Sequence, residues 1–413
     1  MQEIKKWWKK VKLWEIADII MWQSPKSEFY TENSGDIPFF QWCTEFQELY
    51  PIVSKYCSKP TKLAKKWDIL MSVRAPVWAL NLSNIDCCIW RWLCSINSKF
   101  HKNNWFLLYL LKWNLDYLKT QWWGAVYDSI NKDTLLNLEL LIPENIQTQQ
   151  KIASILSKYD DLIENNNKRI KILEETVQSI YEEWFVKYNF PWSENIKMID
   201  SGNDDFGMIP EGWEVRKVEE ISLIVSKWPS LNYVDDKSQW IPVINQKCIR
   251  NWEIELNTIQ FAEKLKDDKS YCYLEKYDIL INSMWTWTLW RVSRNLTIDE
   301  KYIIHNCISF IRSNQNKLKQ TVLYYQIKSK ENHFISLSTW STWQTTLNIK
   351  EIKNVNLIIP DIKIQNNFDN IVIKMFDEIW ALKKQNQNLK ETRDLLIPRL
   401  VSGELDVENL DVK

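Results

Sequence analysis

The chain has only 6 glycines among its 413 residues, whereas a soluble protein of this length carries roughly 29 at about 7% usage. Tryptophan is in excess, with 25 positions. Many of these tryptophans stand among turn-forming residues, as in segments 285–290 and 340–344, where a residue without a Cβ atom is expected. The scarcity of glycine and the surplus of tryptophan are therefore explained together.

We hypothesise that the source organism decodes UGA as glycine and that the sequence was translated with UGA as tryptophan. The chain contains a control, because segment 6–13 parallels segment 211–218 and pairs Trp7 with Gly212 but Trp8 with Trp213. The alternative is a tryptophan-rich chain with genuine indoles in its core. The hypothesis keeps Trp8, Trp184 and Trp213 as tryptophan and assigns glycine to Trp14, Trp22, Trp67, Trp78, Trp90, Trp92, Trp285, Trp287, Trp290, Trp340 and Trp343.

Metal and disulfide chemistry also lack support in the sequence. There are 8 cysteines without a C-x-x-C pair and only 3 histidines, so neither a zinc site nor a secreted disulfide framework is indicated. No apolar run approaches the roughly 20 residues of a membrane span, and the lysine-rich start lacks the apolar core of a signal peptide. We therefore expect a soluble, cytoplasmic protein with reduced thiols and no membrane partner.

Catalytic motifs are missing as well. No Pro-Pro dipeptide occurs, so the Asn-Pro-Pro-Tyr type of loop used by amino-methyltransferases is absent. No P-loop lysine motif appears even when every tryptophan is replaced by glycine. His101, His305 and His333 have no obvious carboxylate or cysteine partner at short spacing, and we expect them to be structural or surface residues. Lys+Arg and Asp+Glu are equal at 53 each, so any DNA contact must come from local basic surface.

An internal repeat organises the chain. The matching segments are 12–16 with 217–221, 37–38 with 241–242, 66–70 with 276–280, and 140–143 with 357–360. Each copy begins with short β-rich runs separated by turn residues and continues, after an Ile-Pro pair, as a long helix. The predicted fold is α+β, with two mixed, mostly β domains in tandem, each followed by a long helix, the two helices forming an antiparallel coiled coil. The predicted boundaries are a first β domain at 1–143, a helix at 144–188, a linker at 189–210, a second β domain at 211–360, a helix at 361–403 and a tail at 404–413.

Both helices carry apolar residues at alternating spacings of four and three, which is typical of a coiled coil. The seam positions are Ile152, Leu156, Tyr159, Ile163, Asn166, Ile170, Leu173, Val177, Ile180 and Trp184, and then Phe368, Val372, Met375, Ile379, Leu382, Asn386, Leu389, Arg393, Leu396 and Leu400. Antiparallel pairing with Trp184 beside Phe368 brings Asn166 to Asn386. A buried asparagine pair would fix the register. The alternative is two unrelated, exposed asparagines.

This organisation resembles the specificity subunit of a type I restriction-modification system over nearly the whole chain. The most specific segments, with glycine restored at 67, 78, 285, 287, 290, 340 and 343, are 67–78, 210–213, 282–291, 340–347 and 395–407. The resemblance implies that each β domain is a target recognition domain for one half of a split DNA sequence. It also implies that the helices hold the two domains apart in opposite orientation.

The resemblance further implies partners and cofactors. These are double-stranded DNA, two methyltransferase subunits and restriction subunits with ATP-driven translocation. This chain would hold no cofactor, while S-adenosylmethionine, ATP and Mg would bind the partner subunits. Two other functions stay open, a coiled-coil scaffold without DNA affinity and a stand-alone DNA methyltransferase or nuclease.

Hydroxyl, amide and guanidinium side chains in the turn segments are candidates for DNA contact, because they bind phosphate oxygens and base edges. Solvated loop residues are the alternative for each. Arg74 and Arg291 are the leading candidates, since a guanidinium suits phosphate or guanine. The full set is Gln41, Arg74, Arg91, Asn245, Gln246, Thr286, Thr288, Arg291, Ser341, Thr342, Gln344 and Thr345.

Overall fold

A computed structural model describes residues 7–410 except 22, 101–102, 122–128, 228–239, 251–252, 264–272, 285–290, 296–301, 338, 342–343 and 409. The chain divides into two compact units, one made of Met1–Lys168 with Lys384–Lys413 and the other of Arg169–Lys383. This division differs from the predicted boundaries because each unit includes part of both long helices. We refer to them as unit 1 and unit 2.

Unit 1 contains the first mostly β domain, called domain 1 below (residues 7–143). Its elements are β1 (Trp8–Lys12), α1 (Leu13–Ile16), β2 (Ala17–Met21), β3 (Tyr30–Thr31), β4 (Ile37–Phe40), β5 (Tyr56–Cys57), β6 (Leu63–Ala64), β7 (Ile69–Ser72), β8 (Leu80–Leu82), β9 (Cys87–Ile89), β10 (Leu93–Ser98), α2 (Asn104–Gln121), α3 (Lys132–Leu136) and β11 (Glu139–Pro143). Strands β2, β10, β7 and β8 form an antiparallel sheet in that order. The apolar residues 106–111 of α2 are all buried in the same core cluster as Ile69, Met71 and Ile96.

Unit 2 contains the second mostly β domain, called domain 2 below (residues 211–360). The long helix α4 (Ile146–Tyr181) precedes it and continues as a π-helical turn at Glu182–Val186. The elements that follow are β12 (Met198–Asp200), β13 (Met208–Pro210), β14 (Glu214–Lys217), α5 (Val218–Ile221), β15 (Ser222–Lys227), β16 (Trp240–Ile244), β17 (Ile249–Arg250), β18 (Glu253–Ile254), β19 (Gln260–Glu263), β20 (Ile279–Asn282), β21 (Val292–Arg294), β22 (Ile303–Ile304), β23 (Ile308–Ser313), α6 (Gln320–Ser329), α7 (Glu331–Leu337), β24 (Thr339–Ser341), β25 (Gln344–Thr346), α8 (Ile349–Lys353), β26 (Asn356–Ile359) and the long helix α9 (Ile362–Val401).

The two domains share one topology. The sheet β15-β23-β20-β21 repeats the order β2-β10-β7-β8, and the pair β14-β26 repeats β1-β11. The parallel pair β16-β22 likewise repeats the parallel pair β4-β9. The duplication predicted from the sequence is therefore confirmed at the level of strand pairing.

The predicted linker 189–210 has structure of its own. Strands β12 and β13 pair antiparallel within it. Phe190 and Ile209 are buried in the same core cluster as Trp213. The polar turn residues predicted a linker because they form the tip of this hairpin, while the apolar residues on either side of the tip pack into unit 2.

Helices α4 and α9 pair antiparallel, and every predicted seam position is buried or half-buried. In unit 1, Asn166 Nδ2 donates to Asn386 Oδ1 at 2.9 Å, and Asn386 Nδ2 donates to Asn167 Oδ1 at 2.9 Å. In unit 2, the rings of Trp184 and Phe368 lie 6.0 Å apart. Both contacts that antiparallel pairing requires are present. The role of the asparagines in setting the register stays a prediction.

The tail after α9 packs on domain 1 within unit 1. Gly403 has φ +75°, and a Cβ atom added there would lie 2.7 Å from the indole of Trp8. Val407 is buried, and Lys151 Nζ donates to the carbonyl oxygen of Glu408 at 2.6 Å. The tail is thus part of the unit 1 core.

Candidate nucleic-acid interface

Two loops of domain 1 meet at one edge of the sheet. The loop after β7 is held by Ser72, whose hydroxyl donates to the Pro76 carbonyl at 2.6 Å and accepts from the Ala79 amide at 3.0 Å. The β9–β10 turn approaches it through a 2.9 Å hydrogen bond from the Val73 amide to the Trp92 carbonyl. This backbone bond places the side chains of both loops next to each other.

The two loops bring together Arg74 and Arg91, which are both exposed. With Val73, Trp92 and Ile130 they line a cleft of about 540 Å³. The Arg91 guanidinium also lies over the ring of Trp90, 5.1 Å from its centre. Guanidinium groups are well suited to hydrogen-bond an anion such as a phosphate group, so this cleft is the candidate DNA contact of domain 1.

Gln41 lies beside this cleft. The parallel pairing of β4 with β9 ends at Phe40, whose carbonyl accepts from the Trp90 amide at 3.0 Å. The Gln41 side-chain oxygen accepts from Lys55 Nζ at 2.9 Å, so Lys55 adds a third cation to this edge. Sequence reasoning missed Lys55 because no motif links it to Gln41.

Domain 2 repeats the backbone frame with other side chains. The Ser283 amide donates to the Cys307 carbonyl at 2.8 Å, as Val73 does to Trp92, and the His305 amide donates to the Ile244 carbonyl at 2.8 Å, as Trp90 does to Phe40. Burial lowers the pKa of His305, so its imidazole is neutral near pH 7. The position of Trp90 in domain 1 is therefore occupied in domain 2 by a neutral imidazole.

One predicted residue of domain 2 is buried and holds a turn. Asn245 is only 4% exposed, and its side chain donates to the Thr258 carbonyl at 2.7 Å and accepts from the Lys247 amide at 2.8 Å. It stabilises a turn inside the domain, as asparagine side chains commonly do. Gln246 and Arg291 are half-buried.

Arg291 and Arg74 do not occupy equivalent positions in the repeat. Arg74 bridges Ser129, and the equivalent bridge in domain 2 joins Met284 to Thr346. Arg291 instead matches Ala79, because its carbonyl accepts from the Asn282 amide as that of Ala79 does from Ser72. The two arginines therefore occupy opposite ends of equivalent loops.

Three further candidates lie on a hairpin next to the loop after β20. The hairpin β24–β25 carries Ser341, Gln344 and Thr345, and the Met284–Thr346 bridge brings it to the loop after β20. Only the backbone of these three residues is described. Thr286, Thr288 and Thr342 lie outside the described residues.

Some of the tryptophan positions have backbone angles that glycine adopts more readily than other residues. Trp67 has φ 77° and Trp78 has φ 72°, and Trp192, which the sequence did not single out, has φ 71°. An L residue in this left-handed region costs roughly 1–2 kcal/mol, which glycine avoids. Tyr277, at the position of Trp67 in the repeat, has φ 73°, so the turn tolerates a side chain.

Other tryptophan positions show different environments. Trp213 is buried, Trp184 contacts Phe185 and Phe368, and Trp8 packs on Gly403, as genuine tryptophans would. Trp14, Trp90, Trp92 and Trp340 have no positive φ. Trp22, Trp285, Trp287, Trp290 and Trp343 lie outside the described residues. Reassignment of UGA stays a prediction.

Peptide masses of the protein isolated from its source organism test this prediction. We expect glycine at positions 67, 78, 287 and 343, and tryptophan at positions 184 and 213, which serve as controls in the same digest. Tryptophan at 287 and 343 would show that the chain is genuinely tryptophan-rich.

The described part of the chain offers neither a membrane span nor a metal site. None of its helices is long and apolar enough to cross a membrane. Among the same residues, no three His, Cys, Asp or Glu side chains are grouped closely enough to bind a metal ion.

Comparison with known proteins identifies the family. A family model described as the type I restriction modification DNA specificity domain matches residues 5–175 and again residues 210–391. The chain belongs to this family. The two matches coincide with the two copies of the internal repeat, which explains why the sequence appears duplicated.

Relatives align over most of the chain. The type I restriction enzyme MjaIX specificity subunit of Methanocaldococcus jannaschii is 28% identical and aligns over 99% of this chain and 96% of its own length. The HindI specificity subunit of Haemophilus influenzae is 22% identical over 73% of this chain and 76% of its own length. The crystal structure of the type I restriction-modification S subunit from M. genitalium shares the fold, with a TM-score of 0.58, 16% identity and 97% of each chain covered.

Proposed function

We propose that this chain is the DNA sequence-recognition subunit of a type I restriction-modification complex. Domain 1 and domain 2 would each recognise one half of a split DNA target. The observation that carries the proposal is the double match to the DNA specificity domain, one match for each repeat. The cationic cleft of Arg74 and Arg91 supports it, because it offers phosphate contacts on a chain whose net charge is zero.

The chemistry would belong to partner subunits. We propose that two methyltransferase subunits dock on the helices and methylate adenines in the target, and that restriction subunits join them. S-adenosylmethionine, ATP and Mg would bind to those partners, and this chain would be non-catalytic. The described cysteines form no disulfide, which fits the cytoplasm as the place of action.

Mapping of methylated adenines in the source genome tests the proposal. Adenine methylation is expected in one split motif and is expected to vanish when this gene is deleted. The purified chain with S-adenosylmethionine alone is expected to leave DNA unmodified, and modification under those conditions would favour a stand-alone methyltransferase. A salt-dependent gel shift on the mapped motif would eliminate the scaffold without DNA affinity, and the absence of any shift would favour it.

Replacing Arg74 or Arg91 with alanine is expected to weaken binding of the mapped motif. If the arginine binds a phosphate group, its removal weakens binding of all sequences alike and lowers the salt slope by about 1. If it binds a base, its removal costs about 1–3 kcal/mol at one base position. Fluorescence anisotropy at several salt concentrations distinguishes these cases. Arg216→Ala, at an exposed arginine paired with Glu214, serves as the control. Binding unchanged in both cleft variants would remove the cleft from the interface.

A further inference from the structure

A buried ion pair joins the two long helices inside unit 1. Asp160 of α4 is 1% exposed and Arg393 of α9 is 5% exposed, and the guanidinium donates directly to the carboxylate. A buried ion pair adds little net stability compared with apolar residues of the same size. Its presence in a largely apolar seam therefore points to a role in geometry.

Domain 1 contributes two side chains to this pair. Tyr109 of α2 donates its hydroxyl to Asp160 Oδ2 at 2.5 Å. Glu48, in the loop between β4 and β5, accepts from Lys390 Nζ at 2.8 Å and from Arg393 Nη2 at 3.3 Å. We call these five residues the anchor cluster, since they connect domain 1 to both helices.

The electrostatics of the anchor cluster favour its charged form. Burial alone would raise the pKa of Glu48, but Lys390 and Arg393 outweigh burial and hold the pKa below its ordinary value. Burial and the neighbouring Asp160 carboxylate raise the pKa of Tyr109, so its hydroxyl stays protonated and able to donate. Domain 1 thus holds the helices through hydrogen bonds with fixed directions.

Domain 2 is attached differently. Gln149 donates to the Pro143 carbonyl at the start of α4, and Gln365 donates to the Pro360 carbonyl at the start of α9. This shared hydrogen bond aligns the sequences of the two helices so that Gln149 corresponds to Gln365. By this alignment the position of Asp160 in α4 corresponds to Phe376 in α9. In unit 2 the Arg294 guanidinium of domain 2 lies 3.5 Å from the centre of the Phe376 ring. Next to Phe376, Lys276 of domain 2 pairs with Asp377 of α9 at 2.9 Å, but both of these side chains are about half exposed. The described part of unit 2 therefore has an exposed ion pair beside the position where unit 1 has a buried one.

We propose that Glu48 and Tyr109 are positioning residues that fix the angle of domain 1 on the helix pair. This rests on the proposed function, in which the orientation of each recognition domain determines the gap between half-sites that the complex accepts. When the anchor cluster is weakened, domain 1 can rotate on the helices. A change in the gap between the half-sites then reduces the DNA affinity of the variant less than it reduces the DNA affinity of the native protein.

The experiment measures the DNA affinity of the complex of this chain with its methyltransferase subunits. The DNA is a series of duplexes in which the mapped half-sites are separated by the native gap, by one base pair more or by one base pair fewer. The double variant Glu48→Gln/Tyr109→Phe is expected to reduce the preference for the native gap by about tenfold, the equivalent of one charged hydrogen bond. Glu48→Gln alone leaves the Asp160–Arg393 pair intact and gives a milder version if the double variant folds poorly.

The control variant Glu28→Gln/Tyr56→Phe makes the same chemical changes in domain 1 away from the helices, and it is expected to keep the native gap preference. If the anchor variants lose affinity equally for all gaps, the cluster only stabilises unit 1 and the inference is wrong. If the native complex shows no preference among DNA sequences, the proposed function fails, and the inference fails with it.

Discussion

Arg393→Ala is expected to lower the free energy of unfolding of unit 1 by about 3–5 kcal/mol, because it leaves the buried Asp160 carboxylate without its cation. Tyr109 would be the remaining hydrogen-bond partner of that carboxylate. Urea unfolding followed by hydrogen exchange of amides in segment 146–168 measures the effect within unit 1.

The same helix supplies a matched control. Arg399 pairs with Glu404, and both side chains are about half exposed or more, so Arg399→Ala is expected to cost no more than about 1 kcal/mol. A second comparison replaces both buried charges, as Asp160→Leu/Arg393→Met, and is expected to recover most of the loss. Equal losses for Arg393→Ala and Arg399→Ala would contradict the burial argument.

Gly403→Ala is expected to destabilise unit 1 by about 2–5 kcal/mol, from roughly 1–2 kcal/mol for the positive φ and about 1–3 kcal/mol for overpacking. The new methyl group would lie 2.7 Å from ring atoms of Trp8, which must move. Thermal unfolding of the full chain and of the variant measures the difference.

Gly207→Ala separates the two contributions. Gly207 also has a positive φ, +57°, but nothing lies within 4 Å of its added Cβ. This variant is expected to show only the backbone cost, about 1–2 kcal/mol. If both glycine variants lose the same stability, Trp8 has room to move and the predicted clash does not occur.

The helix pair could be predicted in detail because heptad spacing fixes which face of each helix is buried. The spacing placed Asn166 opposite Asn386, where the structure has them. It also included Arg393 in the seam, but its partners could not be found. Asp160 lies one residue from the seam position Tyr159, and Glu48 is brought from a loop 345 residues away in sequence.

The candidate interface was less predictable. Arg74 and Arg91 could be proposed as turn residues, but only the hydrogen bond between Val73 and Trp92 brings their loops together. The position of Asn245 after a strand did not reveal that its side chain is buried. A surface asparagine and an asparagine that forms a turn occur in the same sequence context. Long-range pairing and burial are not contained in local sequence.

Unit 1 is discontinuous in sequence, which affects how it folds during synthesis. Its two parts, Met1–Lys168 and Lys384–Lys413, are separated by the whole of unit 2, whereas Arg169–Lys383 is one continuous stretch. Because the ribosome synthesises the chain from the amino end, unit 2 is complete before the second part of α9 and the tail, which belong to unit 1, are made. Until then, the apolar face of α4 within unit 1 stays uncovered. We therefore expect a nascent chain stalled before residue 384 to be prone to aggregation and to need a chaperone.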